Sequence, residues 1–362
     1  MLVEVNKREL SETRTVEEAA AVLGAGQARI HVEAFALTAN NITYAVFGDA
    51  MRYWDFFPGD EPSIWGRIPV WGFGTVVESN VAGCDIGERL YGYYPMGAEL
   101  VIEPGRCDEQ GVTDLSAHRA PMAGAYNRYV RCEPDPIYRQ DREAQQMLLY
   151  PLFFTSFLID DFSADQRDFD AQQIIVSSAS SKTAIGVAFL AHQRGHQVVG
   201  LTSERHREFV ERLGIYDTVV GYDAIDQIPR GSSTYVDIAG NRDVRHAVHA
   251  HCADDLAYSM AVGGTHWDHQ NESGSAELAP PAPQFFFAPD QIKKRNDEWG
   301  RGELERRVTA AWDEYSQWTE GWLEIRRSEG AAAITDVYRE VLGGTPDPRV
   351  GFICSLSQSS GS

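Results

Sequence analysis

Gln172-Gln-Ile-Ile-Val-Ser-Ser-Ala-Ser-Ser-Lys182-Thr-Ala-Ile-Gly-Val-Ala-Phe-Leu-Ala-His-Gln-Arg194-Gly195 runs from a short apolar segment through a small-residue loop into a helical pattern. Apolar residues at Ile185, Val187, Ala188, Leu190 and Ala191 suit a buried helix, and Gly195 is placed to cap its C-terminus. The pattern then repeats. Gln197–Leu201 reads as a strand, Glu204–Leu213 as a helix closed by Gly214, and Asp217–Val220 as a third strand. Thr234–Ile238 and Ala257–Val262 are two more strands, with a helix over Asn241–Cys252 between them. Strands alternating with helices of this length mean βαβ units and a parallel sheet with helices on both faces.

Upstream, to roughly Tyr138, the chain changes character. Arg29–Leu37 alternates as a strand does, and Val70–Glu78 is another, with Gly72 and Gly74 marking bends or close backbone approaches. Gly87–Pro95 reads as a turn followed by a strand. This is an irregular β domain with few helices. Downstream, Pro280–Pro283 is a proline-rich loop, Phe285–Phe287 a last sheet strand, Glu303–Arg327 a long helix and Arg349–Leu356 a final strand. The reading divides the chain into a β domain over 1–140, a βαβ domain over 141–290 and a C-terminal segment over 291–362 that returns to the first domain. No internal repeat is visible.

Composition narrows the class. The 362 residues suffice for two cores, and 43% hydrophobic against 23% charged residues is globular. A formal charge of −21 argues against a nucleic-acid partner, since phosphate binding needs a positive surface. No uninterrupted apolar stretch approaches the length of a membrane span, and Met1–Thr15 lacks the apolar core of an export signal. No membrane partner and a cytoplasmic location are the expectation. Five cysteines without a CxxC pair read as free thiols.

The order of domains resembles the medium-chain dehydrogenase/reductase superfamily, and within it the zinc-free quinone-oxidoreductase-like branch. Ala36-Leu-Thr-Ala-Asn-Asn41 through Gly48 is similar to that branch's Asn-containing active-site loop. Pro69–Gly72 and Gly87-Glu-Arg-Leu-Tyr-Gly92 resemble its Pro-x-x-Gly and Gly-Asp-Arg-Val-x-Gly stretches, and Tyr126-Asn-Arg-Tyr129 its Tyr-Ala-Glu-Tyr strand. The resemblance implies a GroES-like β domain, a Rossmann-type doubly wound parallel sheet, and a homodimer.

It also implies a dinucleotide. The family loop reads Ala-x-Gly-x-x-Gly, and its counterpart here is Ala179-Ser-Ser181-Lys-Thr-Ala184, with serine and alanine in the glycine positions. Glycines there let backbone approach a pyrophosphate in front of a helix N-terminus. With serine in the middle position the phosphates sit further out, and Ser180, Ser181, Lys182 and Thr183 are the candidate contacts. Lysine at this point is notable in a chain with only four. Cofactor choice is read after the second strand, at Thr202-Ser203-Glu-Arg205. Ser203 and Arg205 suit a 2′-phosphate, so NADP is expected over NAD. Tyr222 matches a tyrosine of NADP-dependent relatives, and Gly240 and Gly263 match backbone turns that meet the cofactor.

No cysteine, histidine or carboxylate stands where zinc-dependent relatives carry their ligands. His249 and His251 fall on a helix, where i,i+2 residues point to different faces, and the His266/His269 pair lacks a spaced third partner, so no metal is expected. Tyr44, just after the Asn41 loop, is the first candidate proton donor, with Asn41 as an enolate stabiliser. Tyr126, Asn127, His118 and Arg119 are candidates for orienting a small-molecule substrate, Arg119 by binding a carboxylate. The aromatic run Met51–Pro58, with Trp65 and Trp71, lines a pocket or is plain core. The leading function is reduction or oxidation of a small enone, quinone, aldehyde or related carbonyl compound. Alternatives are a lyase or aldolase using Lys182 as a Schiff-base amine, and a non-catalytic interaction scaffold.

Overall fold

A computed structural model describes residues 1–18, 22–262, 278–344 and 346–356, which divide into two units. The first is Met1–Leu148 with Leu323–Ser362, the second Leu149–Trp322.

In the first unit, β1 (Leu2–Asn6) pairs with β2 (Thr13–Val16), and β3 (Ala28–Leu37) leads into α1 (Ala39–Val46). The short β4 (Trp65–Gly66) joins β1, and β5 (Pro69–Ser79) lies antiparallel between β3 and β6 (Arg89–Pro95). β7 (Glu99–Ile102) also pairs with β3, while β8 (Pro104–Asp108), β9 (Gly111–Asp114) and β10 (Arg128–Arg131) extend the sheet beyond β6. The alternation in β3 buries Ile30 and Val32 in the core of this unit. Gly74 permits a close approach, since a Cβ there would stand 2.7 Å from the His31 carbonyl oxygen.

The sequence pattern did not reveal α2 (Glu143–Asp165), in which the boundary between units falls. Its burial follows no simple stripe. Met147, Leu148, Leu149, Phe153, Leu158 and Ile159 are all buried, and Pro151 sits inside it. Among the described residues, Gln140–Asp165 is the one helix long and apolar enough to cross a membrane by length and composition. A helix apolar on most sides equally suits a protein core.

The second unit contains the expected βαβ order. β11 (Gln173–Val176), α3 (Lys182–Gln193), β12 (Gln197–Thr202), α4 (Glu204–Arg212) and β13 (Thr218–Gly221) form its first half. β14 (Ser233–Asp237), α5 (Arg242–Cys252), β15 (Leu256–Ala261) and β16 (Gln284–Phe285) form the second. All six strands are parallel, in the order β13-β12-β11-β14-β15-β16. That is the doubly wound arrangement, whose switch point lies between β11 and β14. Two helices follow, α6 (Ala288–Trp299) and α7 (Arg301–Thr319), both in this unit.

Here the structure corrects the sequence reading. The helix expected over Glu303–Arg327 ends at Thr319, with Gly321 in the turn that follows. β17 (Glu324–Glu329) then pairs in parallel with a later strand, so tertiary pairing overrides helix propensity. α8 (Ala331–Leu342) intervenes before that strand, β18 (Val350–Ser355), which also pairs antiparallel with β3.

Candidate functional site

The loop between β11 and α3 lies at the switch point, where open α/β sheets bind ligands. Its backbone is fixed from several sides. Ser178 holds a left-handed φ of 54°, a conformation that favours glycine and costs a serine roughly 1 kcal/mol. Three contacts hold it there: the Ser178 N–H donates to the Tyr222 hydroxyl at 2.9 Å, the Ala179 N–H to the Leu201 carbonyl at 2.9 Å, and the Tyr216 hydroxyl to the Ala179 carbonyl at 2.8 Å. At the start of α3, the Ser181 side chain caps the helix by accepting from the Ala184 N–H at 3.3 Å. Lys182 and Thr183 open the helix and are half-buried.

Across the switch point stands Asp237, at the end of β14 and 1% exposed. It accepts from the Ser177 hydroxyl at 2.9 Å, the Gly240 N–H at 3.0 Å and Arg245 Nε at 2.8 Å. The Ser177 oxygen accepts in turn from the Ala239 N–H at 3.0 Å. One carboxylate thus ties the β11 loop to the β14 turn, where Gly240 adopts φ 64°. Gly263 and the His266/His269 pair lie outside the described residues.

The end of β12 comes to the same loop. Thr202 is buried and its carbonyl accepts from the Tyr222 N–H at 3.1 Å, while Ser203 is the N-cap residue of α4. Arg205 is exposed, and its Nε–H donates to His206 Nε2 at 2.9 Å. His206 Nδ1 lies 3.0 Å from the Ser180 hydroxyl. Ser180, Ser181, Lys182, Thr183, Thr202, Ser203, Arg205 and Tyr222 therefore share one neighbourhood. His206 joins them without having been picked out, because its bond to Ser180 crosses 26 positions of sequence.

Gly200 on β12 packs behind this loop. A Cβ there would stand 2.7 Å from the Tyr216 ring and 3.0 Å from Ala179 Cβ. Gly200→Val is expected to cost about 1–3 kcal/mol through overpacking and to loosen the loop, read as a lower melting temperature. A variant melting with the unmutated protein would refute that packing role.

The catalytic candidates lie in the first unit. Tyr44 is buried on α1 and accepts from Asn40 Nδ2 at 2.7 Å. Asn41 is committed elsewhere. Its Oδ1 accepts from the Thr38 N–H at 2.7 Å and its Nδ2 donates to the Pro69 carbonyl at 2.8 Å, so it anchors the start of α1. Arg119 is 1% exposed and equally committed. It donates to Asn127 at 3.1 Å, to the Tyr129 hydroxyl at 2.7 Å and to the Tyr126 carbonyl at 2.5 Å, with Asp114 at 3.3 Å. These bonds engage all three guanidinium nitrogens of Arg119 within the fold. Asn127 returns a bond to the Arg119 carbonyl at 2.8 Å, and His118 Nε2 sits 3.2 Å from the Phe56 carbonyl.

Around Tyr44 the aromatic run closes into a cluster with Tyr53, Phe56, Phe57 and Tyr93, against which Trp71 and Tyr126 pack. Tyr44 and Tyr53 centroids are 4.5 Å apart, and Tyr93 and Tyr126 centroids 4.7 Å. Burial pushes the Tyr44 hydroxyl up to about 12 and also raises those of Tyr53, Tyr93 and Tyr126. Trp71 Nε1 and the Tyr93 hydroxyl lie buried beside the Tyr44 hydroxyl, and among the described residues neither has a partner in strict hydrogen-bonding geometry. Such orphaned groups in an apolar setting are costly unless a polar atom meets them.

Among the described residues no three His, Cys, Asp or Glu side chains gather as a metal-binding group. His249 is buried, with Nδ1 2.6 Å from the Ala279 carbonyl and Nε2 2.9 Å from the Ser259 hydroxyl. His251 bonds the Ile228 carbonyl at 2.9 Å.

Residues 35–347 match the family described as a protein of unknown function (DUF2855). No curated protein matches the sequence. Among solved structures, CurA from Vibrio vulnificus in complex with NADPH is similar at a TM-score of 0.59 and 12% identity, over 96% of this chain and 94% of that one. The quinone oxidoreductase from Coxiella burnetii is similar at 0.57 and 12%, over 98% and 99%. The yhdH oxidoreductase from Salmonella enterica in complex with NADP is similar at 0.52 and 14%, over 96% and 95%. The fold is that of the medium-chain dehydrogenase/reductases, a GroES-like β unit and a Rossmann-type unit.

Proposed function

This chain belongs to the DUF2855 family, and we propose that it is an NADP(H)-dependent oxidoreductase acting on a small enone, quinone, aldehyde or related carbonyl compound. The observation that carries the reading is the β11–α3 loop, which holds Ser178 in a left-handed backbone just ahead of the stretch where serine and alanine replace the family glycines. A loop held at that cost by Tyr222, Leu201 and Tyr216 is a feature with a use. The residues fit a dinucleotide. Ser180, Ser181 and Thr183 supply hydroxyls and Lys182 a point charge in front of a helix N-terminus. Ser203 and Arg205 offer a hydroxyl and a guanidinium at the end of β12, suited to a 2′-phosphate. Thr202 and Tyr222 brace that end, and the turn at Gly240 brings backbone to the cofactor.

When bound, the dinucleotide supplies or takes a hydride. The chain's own task is to position a carbonyl compound and move a proton. Tyr44 is the proposed donor, with Trp71 and Tyr93 beside its hydroxyl as further N–H and O–H groups that a carbonyl oxygen could meet. In this reading Asn41, Arg119 and Asn127 support the aromatic cluster, while His118 and Tyr126 stand beside it. The chemistry proposed needs no metal, and the protein is read as a cytoplasmic homodimer.

Titration with NADPH and NADH, followed by nicotinamide fluorescence, tests the cofactor. Micromolar NADPH affinity is expected, falling roughly tenfold or more in Lys182→Ala and less in Arg205→Ala. Binding of neither nucleotide would overturn the proposal and favour the lyase or scaffold alternative.

A further inference from the structure

The contact between His206 and the phosphate loop has a fixed proton order. Arginine has no acceptor, so Arg205 Nε–H donates to His206 Nε2 at 2.9 Å. A ring nitrogen that accepts carries no proton, and the hydrogen of the neutral imidazole therefore lies on Nδ1. That hydrogen is donated to the Ser180 oxygen, 3.0 Å away. Ser180, accepting from one side, keeps its own hydroxyl hydrogen to give to a further acceptor. The chain Arg205–His206–Ser180 thus begins at a cation at the start of α4 and ends at a donor in the β11–α3 loop.

The placement gives this order a meaning. In a doubly wound sheet the loop after the first strand faces the pyrophosphate, and the end of the second strand faces the adenosine ribose. Arg205 belongs to the second location and Ser180 to the first. We infer that His206 is a positioning residue that sets the preference for NADPH over NADH, by holding Arg205 at the 2′-phosphate and Ser180 at the pyrophosphate in one hydrogen-bonded chain. The inference rests on the cofactor reading proposed above. Glu204, which begins α4, fits it. An acid near this point would favour the free ribose hydroxyls of NAD, but this one is exposed and faces Arg207 at 3.7 Å.

The test compares NADPH and NADH dissociation constants for the unmutated protein, His206→Leu and His206→Gln, with melting temperatures alongside. A glutamine amide accepts with its oxygen and donates with its nitrogen, so it can replace both ring contacts. His206→Leu is expected to lower the NADPH-to-NADH affinity ratio roughly tenfold, and His206→Gln to retain it within about threefold. Should His206→Leu fail to fold, His206→Asn, polar but too short to span both partners, is expected to lower the ratio likewise. NADPH binding with an unchanged ratio in the leucine or asparagine variant overturns the inference, as does an unmutated protein that prefers NADH. An unmutated protein that binds neither nucleotide overturns the cofactor reading itself.

Discussion

Tyr44→Phe is expected to lower turnover roughly 100-fold, the lower end of what a positioned general acid contributes, while leaving NADPH affinity unchanged. The direction of its hydrogen bond is the reason. Asn40 Nδ2 donates to the Tyr44 oxygen at 2.7 Å, so the tyrosine's own hydrogen remains to be given away. Burial pushes this hydroxyl up to about 12. The donor is the protonated form, present below that value and lost only as pH rises through it. The rate should therefore show no falling limb near pH 10, where an ordinary tyrosine titrates. The neighbouring Tyr53, Tyr93 and Tyr126 are raised by the same burial. Turnover of the phenylalanine variant within about threefold of the unmutated protein would remove Tyr44 from the reaction and turn attention to its neighbours.

Asp237→Ala is expected to destabilise the second unit by about 3–5 kcal/mol, the cost of leaving a buried ion without its partner. Arg245 is buried and bonded to Asp237 at 2.8 Å, and its Nη2 already lacks a partner among the described residues. The same carboxylate also holds Ser177 and Gly240, so its loss releases both sides of the switch point. A second substitution, Arg245→Met, should recover part of the loss by removing the stranded charge. The two units need not unfold together, so calorimetry that resolves separate transitions is the suitable measurement. A single-mutant loss below about 1 kcal/mol would show that the pair carries little.

How far the sequence could be read depended on whether the determining contact was local. The parallel sheet was legible because each strand and helix carries its own signal, from the apolar run at Ile174 to the cap glycines at Gly195 and Gly214. α2 was not, since apolar residues occur around most of its circumference and Pro151 suggests a break. α7 was overrun because nothing near Glu324 announces that Val350, far along the chain, will claim it as a strand.

The candidate site divides in the same way. The loop around Ser180–Thr183 was found from its position after a strand, and the residues after β12 from theirs. Arg119 reads in the sequence as a substrate ligand and Asn41 as an enolate partner. Only the fold reveals that Tyr129, Asp114 and Pro69 already occupy them. The contact between His206 and Ser180 joins residues 26 positions apart, so only the fold brings His206 to the loop.

The pairing of β18 with β3, Phe352 against Leu37 and Cys354 against Phe35, sets a timetable for biosynthesis. β3 leaves the ribosome before the second unit is made, and the strand that covers its edge only after it. Leu149–Trp322 is continuous in sequence and has its whole sheet available before then. The nascent chain must therefore carry an open, apolar strand edge at Phe35–Leu37 while the inserted unit is made. Such an edge is where a growing polypeptide recruits a chaperone or adheres to its neighbour on a polysome.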